Sequence, residues 1–161
     1  MPDLLTHVLL VYSLTTVVTD IVDRLPDRFV PVAMVGAILP DLSKFHLLVA
    51  PAQLTAVFGI PFSWLPFHRL GGTIVMAALA SLTFDRSERR LAFGFLLGGA
   101  LTQYPLDGMI ERANGLSPPY FYPFTWWQPP AGGLYLSSDL WPILPAAVLA
   151  SGVWLWQRFR G

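Results

Sequence analysis

Five apolar stretches, separated by polar or proline-rich connections, dominate the chain. A helix that crosses a bilayer needs about 20 residues, with a range of about 17–25, and the first and last of these stretches reach that length. The second has only 12 residues, so either its helix continues past Asp41 or Asp41 lies below the membrane surface in a protein-lined cavity. The pattern predicts an all-α, polytopic integral membrane helix bundle with about five transmembrane helices. The stretches are Leu4–Val22, Phe29–Pro40, Leu70–Phe84, Leu91–Leu106 and Leu140–Trp156.

Two long connections, Leu47–Phe67 and Ala113–Ser138, carry no charged residue. Both contain several prolines, which cost about 3 kcal/mol inside a helix. We therefore expect interfacial or re-entrant elements here rather than further spans. Ala113–Ser138 is also rich in Tyr and Trp, which prefer the headgroup level of a bilayer. Two interpretations of that connection remain open, an interfacial anchor or a lid over a polar site.

Composition supports the membrane interpretation. Charged residues make up 12% of the 161 residues, hydrophobic residues make up 54%, and the mean hydropathy is +0.55, whereas soluble domains carry about 25% charged residues. The alternative is a soluble all-helical core protein, whose exposed faces would need more charge than this chain has. The length suits a single domain, residues 1–161, and the N-terminus, with Asp3 instead of basic residues, does not resemble a signal peptide. The net charge of zero gives no indication of a nucleic-acid partner.

The basic residues indicate an orientation. Positively charged residues are enriched on the cytoplasmic side of membrane proteins, and seven of the ten basic residues fall in connections of one side: Arg24, Arg28, Arg86, Arg89, Arg90, Arg158 and Arg160. Lys44, Arg69 and Arg112 then belong to the outer side. This arrangement places the start of the first helix, the ends of the second and fourth, and the start of the third at the outer face.

Four ionisable residues lie at those outer helix ends: His7, Asp41, His68 and Asp107. Ionisable groups at or near membrane depth are costly and usually functional, and two His with two carboxylates form a plausible set of divalent-metal ligands. Each also has a structural explanation, such as capping of a helix or turn by an Asp. Three further residues are candidates for a supporting role: Gln103, Asp139, which is most simply the N-cap of the last helix, and His46.

Several short motifs occur in an order that resembles a known family. They are Pro2-Asp3-Leu4-Leu5-Thr6-His7, Gly36-Ala37-Ile38-Leu39-Pro40-Asp41, His68-Arg69-Leu70-Gly71-Gly72-Thr73, Leu106-Asp107-Gly108 and Tyr122-Pro123-Phe124. Together they resemble the membrane-bound metal-dependent hydrolases of the LexA-regulated group. The resemblance covers most of the chain and implies a small helical membrane protein with a divalent-metal site and hydrolytic activity.

The chain departs from the family pattern at three positions. Ser43, beside Lys44, replaces a second acid after Pro40-Asp41, and no second His follows the stretch around Gly72-Thr73. Gln103 replaces a His four residues before Asp107, a spacing that keeps the two side chains on one helical face. Three ligands expected from the resemblance are therefore substituted, while His7, Asp41, His68 and Asp107 are retained.

The sequence thus predicts a multi-pass protein of the cell membrane whose site faces outward. The hypothesis is a metal-dependent hydrolase of a phosphoester or lipid-like substrate at the membrane interface, with membrane lipids as partners. His7, Asp41, His68 and Asp107 would hold the divalent metal, zinc being the first choice, and Asp41 or Asp107 would act in catalysis. Two alternatives remain: a non-catalytic membrane protein with a decayed metal site that serves in packing or partner binding, and a small transporter.

Overall fold

The computed structural model describes residues 4–160, without the side chain of Arg160, and Pro2 and Asp3 of the first motif lie outside this range. Within it the chain is helical and forms no strand, which confirms the all-α prediction. Three 3-10 segments, Asp27–Phe29, Leu39–Leu47 and Leu65–His68, connect the α-helices. The α-helices are α1 (Leu4–Ile21), α2 (Val30–Gly36), α3 (Pro51–Phe58), α4 (Leu70–Ser81), α5 (Arg89–Leu101), α6 (Gln103–Gly108) and α7 (Ile143–Arg160).

Two helical stretches of the described chain are long and apolar enough to cross a membrane. They are Leu4–Ile21 and Asp27–Leu47, the second of which combines α2 with its flanking 3-10 turns. Helix α4 is apolar but has only 12 residues. Helix α3, within the first uncharged connection, has 8 residues and would be about 12 Å long. Five apolar stretches therefore form helices, but only two stretches of the described residues combine the length and the hydropathy of a membrane span.

Prolines explain why two of the helices, α2 and α5, end before their apolar stretches do. Pro105 has no N–H, and its ring would clash with the carbonyl of Leu101 four residues earlier in a continuous helix. Helix α5 accordingly ends at Leu101 and α6 begins at Gln103. Pro40 similarly lies in the 3-10 segment that follows α2. Each break turns the chain next to one of the two candidate carboxylates, Asp41 and Asp107.

Helices α2 and α5 pack at backbone contact through glycine. A Cβ atom on Gly99 would lie 2.0 Å from the carbonyl oxygen of Ala33, and one on Gly36 would lie 2.2 Å from the carbonyl oxygen of Leu96. Only glycine permits this approach, as is common where membrane helices cross. The apolar core next to the crossing joins α1, α2 and α5 and contains Val11, Phe29, Ala33, Ala37, Ala92 and Phe95.

The polarity of α1 is reversed relative to a soluble helix. Its buried positions, apart from Val11, carry polar side chains, namely Thr6, His7, Ser13, Thr16 and Thr19. Its exposed positions carry large apolar side chains, including Leu14 at 54% and Ile21 at 71% exposure. Helices α4 and α7 also expose large apolar residues, such as Leu79 and Val148. Apolar surface of this extent marks contact with a membrane or a partner, and it is compatible with membrane association.

Candidate functional site

Four different elements bring the candidate residues to one end of the helix bundle. His7 lies near the start of α1, Asp41 in the 3-10 segment after α2, His68 just before α4, and Asp107 in α6. Nε2 of His7 lies 3.7 Å from Oδ1 of Asp107, and Nε2 of His68 lies 2.9 Å from Oδ2 of the same carboxylate. Asp41 is close enough to interact electrostatically with His7. Asp107 is thus placed between two imidazoles, with a second carboxylate nearby.

The contacts of Asp107 do not satisfy its hydrogen-bonding capacity. Its side chain and that of His7 are completely buried, whereas that of His68 is 14% exposed. Although Oδ2 is within 2.9 Å of His68, the two atoms lack hydrogen-bond geometry, and both carboxylate oxygens are without a hydrogen-bond partner. Both ring nitrogens of His7 are also unpartnered. Buried polar groups of this kind are rare in native proteins and call for an explanation, such as a catalytic role, an ordered water or an ion.

His68 is oriented by the backbone of a neighbouring segment. Its Nδ1 lies 3.3 Å from the carbonyl oxygen of Pro40, so the nitrogen remote from Asp107 faces an acceptor. A histidine that binds a metal typically donates its second ring N–H to a carbonyl or carboxylate, which fixes the tautomer. Pro40 is therefore well placed to hold the ring with Nε2 directed at Asp107.

Asp41 is paired with a lysine side chain of the same turn. The Lys44 ammonium lies 2.8 Å from Oδ2 of Asp41, and the two side chains are 37% and 4% exposed. The other oxygen, Oδ1, is buried and has no hydrogen-bond partner. Lys44 thus neutralises Asp41 and leaves one carboxylate oxygen free.

Gln103 lies on the buried face of α6 together with Asp107, as the spacing of four residues predicts, and both are 0% exposed. Its Nε2 donates a hydrogen bond of 2.8 Å to the carbonyl oxygen of Ala37. Its Oε1 is buried and unpartnered. Gln103 therefore joins α6 to the end of α2, next to the segment that carries Asp41, and retains one free acceptor.

Two of the suggested supporting residues do not belong to this cluster. His46 is exposed, and its Nδ1 contacts the carbonyl oxygen of Ser43 at 2.8 Å, within its own turn. Asp139 was expected to cap the last helix, but α7 begins at Ile143 and Asp139 instead accepts a hydrogen bond from the backbone N–H of Leu136. Pro142 precedes the helix and separates Asp139 from its first turn. The N-cap assignment is therefore wrong.

The second uncharged connection covers the cluster with a segment that we name the aromatic segment, residues 117–130. The Tyr120 ring packs on Tyr104 at 5.1 Å and on His68 at 6.2 Å between centroids. Burial, and to a smaller extent the nearby Asp107, raises the pKa of the Tyr120 phenol, so Tyr120 stays protonated at neutral pH. The Tyr104 hydroxyl is 2.7 Å from that of Thr73. Sequence reasoning missed these two tyrosines, because no motif marks contacts between such distant segments.

The backbone of the aromatic segment is bound to the start of α4. The N–H groups of Leu70 and Gly71 donate to the carbonyl oxygens of Tyr120 and Tyr122, at 2.7 and 2.9 Å. The Arg69 guanidinium lies over the ring of Tyr122, 5.0 Å from its centroid. Further along, Phe124, Trp126 and Trp127 remain exposed. The segment thus covers the cluster on its inner side and presents aromatic side chains outward.

The donor chemistry of the cluster suits a divalent cation, because imidazole and carboxylate are common ligands of zinc and related ions. Two ligands about 2.0–2.2 Å from one ion lie at most about 4.4 Å apart, and both contacts of Asp107 are shorter than this limit. Within residues 4–160, however, no group of three or more His, Cys, Asp or Glu side chains is arranged to hold a metal ion. The described side chains therefore fit a cation in their chemistry and in pairs, but not as a complete ligand set.

Comparison with known proteins gives no relative from which a function could be transferred. No family model matches the chain, and no curated protein or solved structure is significantly similar to it. The function must therefore be argued from the cluster of His7, Asp41, His68 and Asp107.

Proposed function

We propose that the protein is an integral membrane hydrolase that uses a divalent cation held by His7, His68 and Asp107. The substrate is a phosphoester or lipid-like ester at the membrane interface. The membrane assignment is supported by the reversed polarity of α1, which buries Thr and His and exposes Leu and Ile. A soluble helical protein would expose its polar face instead.

The observation that carries the metal proposal is the contact between His68 and Asp107. When Nδ1 donates its proton to the Pro40 carbonyl, Nε2 of a neutral ring presents a lone pair to the carboxylate. A lone pair and a carboxylate oxygen 2.9 Å apart repel each other, and either a nearby cation or protonation of the ring would remove this repulsion. A divalent cation held by the three side chains would also partner the unsatisfied oxygens of Asp107 and a ring nitrogen of His7.

Cation binding requires a rearrangement, because the described side chains do not form a three-ligand group. His7 has the longer contact with Asp107, 3.7 Å, and neither of its ring nitrogens is hydrogen-bonded. Its ring can therefore move without breaking a hydrogen bond. We expect this movement to complete the site.

Each residue of the cluster then has a distinct chemical role. A bound divalent cation supplies Lewis-acid polarisation of the scissile ester and activates water at neutral pH. Asp41 Oδ1, which is buried and unpartnered, accepts the proton of the attacking water, while Lys44 keeps the Asp41 side chain in place through Oδ2. Tyr120 and Tyr104 pack against the edge of His68 and restrict access of bulk water.

The proposed topology has five spans with the cluster at the outer side. Helices α1 and α7 and the Asp27–Leu47 stretch are long enough to cross much of the bilayer. Helices α4 and α5 are shorter and would be completed by adjoining turns. Seven of the ten basic residues then lie on the cytoplasmic side.

Metal content and hydrolysis test the proposal together. The purified chain is equilibrated separately with zinc, manganese and magnesium, and its bound metal and its hydrolysis of phospholipid vesicles are measured. We expect near-stoichiometric metal in the wild type and a loss of affinity of at least about tenfold, or 1.4 kcal/mol, in His68→Ala and Asp107→Asn. His46→Ala is the matched control, because His46 is exposed and bound within its own turn. Equal metal binding by all four proteins would overturn the assignment.

A non-catalytic role is the second candidate, and the incomplete ligand set favours it. In that case the cluster serves to pack α1, α4 and α6 through a protonated His68 that pairs with Asp107. A folded wild-type protein that binds no divalent cation and hydrolyses no ester would establish this alternative. The same variants would then lower only the free energy of unfolding.

A further inference from the structure

An apolar groove runs along α1, beginning next to the His and Asp cluster. It has a volume of about 530 Å³ and is walled by α1, by the turn from α5 into α6, and by α7. No charged residue lines it. The residues used below are Leu10, Leu14, Val18, Leu106, Leu149 and Val153.

The groove continues the face of α1 that carries His7. Leu10 and Leu14 follow His7 by three and seven residues, and this spacing places side chains on one side of a helix. At the other wall, Leu106 directly precedes Asp107. The upper end of the groove therefore lies one helical turn below His7 and one residue from the carboxylate to which both imidazoles point.

The dimensions of the groove correspond to one membrane leaflet. From Leu10 to Val18 the axis of α1 rises about 12 Å, at about 1.5 Å per residue. Half of the bilayer hydrocarbon core is about 15 Å. Leu14 and Leu149 are 54% and 53% exposed, so the groove is open along its side, towards the surrounding hydrocarbon in the proposed topology.

We infer that this groove binds the acyl chain of a membrane lipid, whose polar head is thereby placed at the cluster. The inference rests on the proposed membrane topology and names the substrate class of the proposed hydrolase as an acyl lipid. A free phosphoester without a chain would leave the apolar wall unused. A lipid held here needs no transfer into water, since its chain stays at hydrocarbon depth while its ester or phosphate reaches His68 and Asp107.

Photolabelling tests the groove without relying on catalysis. The full chain is reconstituted in phosphatidylglycerol nanodiscs that contain a trace of phosphatidylglycerol with a diazirine near the end of one acyl chain. After irradiation, the labelled residues are mapped by mass spectrometry. We expect labelling to concentrate on residues 10–18 of α1 and on Leu149 and Val153 of α7. In Leu149→Trp the indole fills the groove, and labelling of residues 10–18 should fall by about tenfold, which corresponds to 1.4 kcal/mol.

Val148→Trp is the matched control, because Val148 is the neighbouring residue, is 71% exposed and lies outside the groove. It should leave the labelling unchanged, and Val153→Trp should repeat the effect of Leu149→Trp. Uniform labelling of all exposed helices, or labelling of residues 10–18 that neither groove variant reduces, would overturn the inference.

The same labelling in Asp107→Asn separates this inference from the proposed function. If the wild type binds no metal but its groove is still labelled, the hydrolase proposal is wrong and the groove inference stands. If labelling loses its selectivity for the groove while hydrolysis of a short-chain soluble ester remains intact, the groove inference is wrong and the hydrolase proposal stands.

Discussion

At the scale of single residues, Lys44 determines how much negative charge the cluster offers to a cation. Its ammonium is bound to one oxygen of Asp41 and is itself partly exposed. A tethered cation of this kind competes with any ion that approaches Asp41. The pair therefore stabilises the empty cluster and weakens its affinity for a divalent ion.

Replacing Lys44 should thus have opposite effects on stability and on metal affinity. Lys44→Met leaves the buried Asp41 carboxylate unpaired, and we expect the metal-free protein to lose about 1 kcal/mol of unfolding free energy, a modest value because Lys44 is partly exposed. Removal of the nearby positive charge should tighten divalent binding by His7, His68 and Asp107 by about tenfold. Chemical unfolding in detergent and calorimetric metal titration measure the two effects, with Lys44→Arg as the control that retains the pair. Unchanged metal affinity in Lys44→Met would show that the charges of Lys44 and Asp41 do not act on the cation site.

Gln103 allows a second test, in which a metal ligand is added instead of a competing cation being removed. Gln103→His introduces an imidazole on the buried face of α6 shared with Asp107, and imidazole is a better ligand than an amide for zinc-like ions. We expect divalent binding to tighten by about 1–3 kcal/mol, or tenfold to hundredfold, measured as metal content and affinity. Gln103→Met, which also loses the hydrogen bond to Ala37, should show no gain. If Gln103→His instead loses metal that the wild type holds, Gln103 is itself a ligand.

Residue-level prediction from sequence succeeds where a helix end determines position. His7, Asp41, His68 and Asp107 were expected at the same end of the bundle from the alternation of helices and the arginine pattern. The structure places His7 and His68 within 3.7 Å of Asp107, whereas Asp41 interacts with His7 only electrostatically. The Lys44 pair and the packing of Tyr104 on Tyr120 were not foreseen. They depend on rotamers and on a loop that returns from a distant part of the chain.

At the scale of elements, the crossing of α2 and α5 depends on the absence of side chains at two positions. Gly99 and Gly36 contact backbone carbonyl oxygens, whereas Gly94 and Gly98 on the same helix α5 have open space in front of them. One turn of a helix thus contains glycines with opposite tolerance for substitution.

Alanine substitutions should separate these two classes. In Gly99→Ala the new Cβ would lie 2.0 Å from the Ala33 carbonyl oxygen, and we expect α2 and α5 to move apart at a cost of about 1–3 kcal/mol. In Gly98→Ala the Cβ meets nothing within 4 Å, so stability should change by less than about 0.5 kcal/mol. Thermal unfolding of the two variants in the same detergent gives the comparison. Similar losses in both would contradict the described crossing.

The helical type of the elements follows from the sequence, but their number and their lengths do not. Apolar stretches identify the helices, since apolar surface must be buried in protein or lipid. A proline such as Pro105 disturbs a helix, yet only the structure shows that α5 ends at Leu101 and that the separate helix α6 begins at Gln103. Similarly, the apolar stretch that ends at Pro40 becomes a short α-helix followed by a 3-10 segment.

At the scale of the whole molecule, the uneven distribution of arginines predicts which connections lie on each side of the membrane. Chemical labelling of single cysteines can test this prediction. The chain contains no cysteine, so single cysteines report cleanly. Ser87→Cys, in the exposed turn before α5, should react with a membrane-impermeant maleimide only from the cytoplasmic side, and Ala113→Cys only from the outer side. Ser117 lies in the same outer connection but is fully buried and serves as an unreactive control. Reaction of both exposed positions from one side would disprove the five-span topology.

The hydrogen bonds that tie Tyr120 and Tyr122 to Leu70 and Gly71 restrict how anything can reach the cluster. The first free N–H groups of a helix need acceptors, and here the aromatic segment supplies them. Displacing that segment would break these hydrogen bonds, expose the start of α4 and disturb the residues next to His68. Approach along the groove of α1 would break none of these hydrogen bonds. In the proposed topology, the fold therefore favours molecules that arrive by diffusing within the plane of the membrane over those that arrive from the surrounding solution.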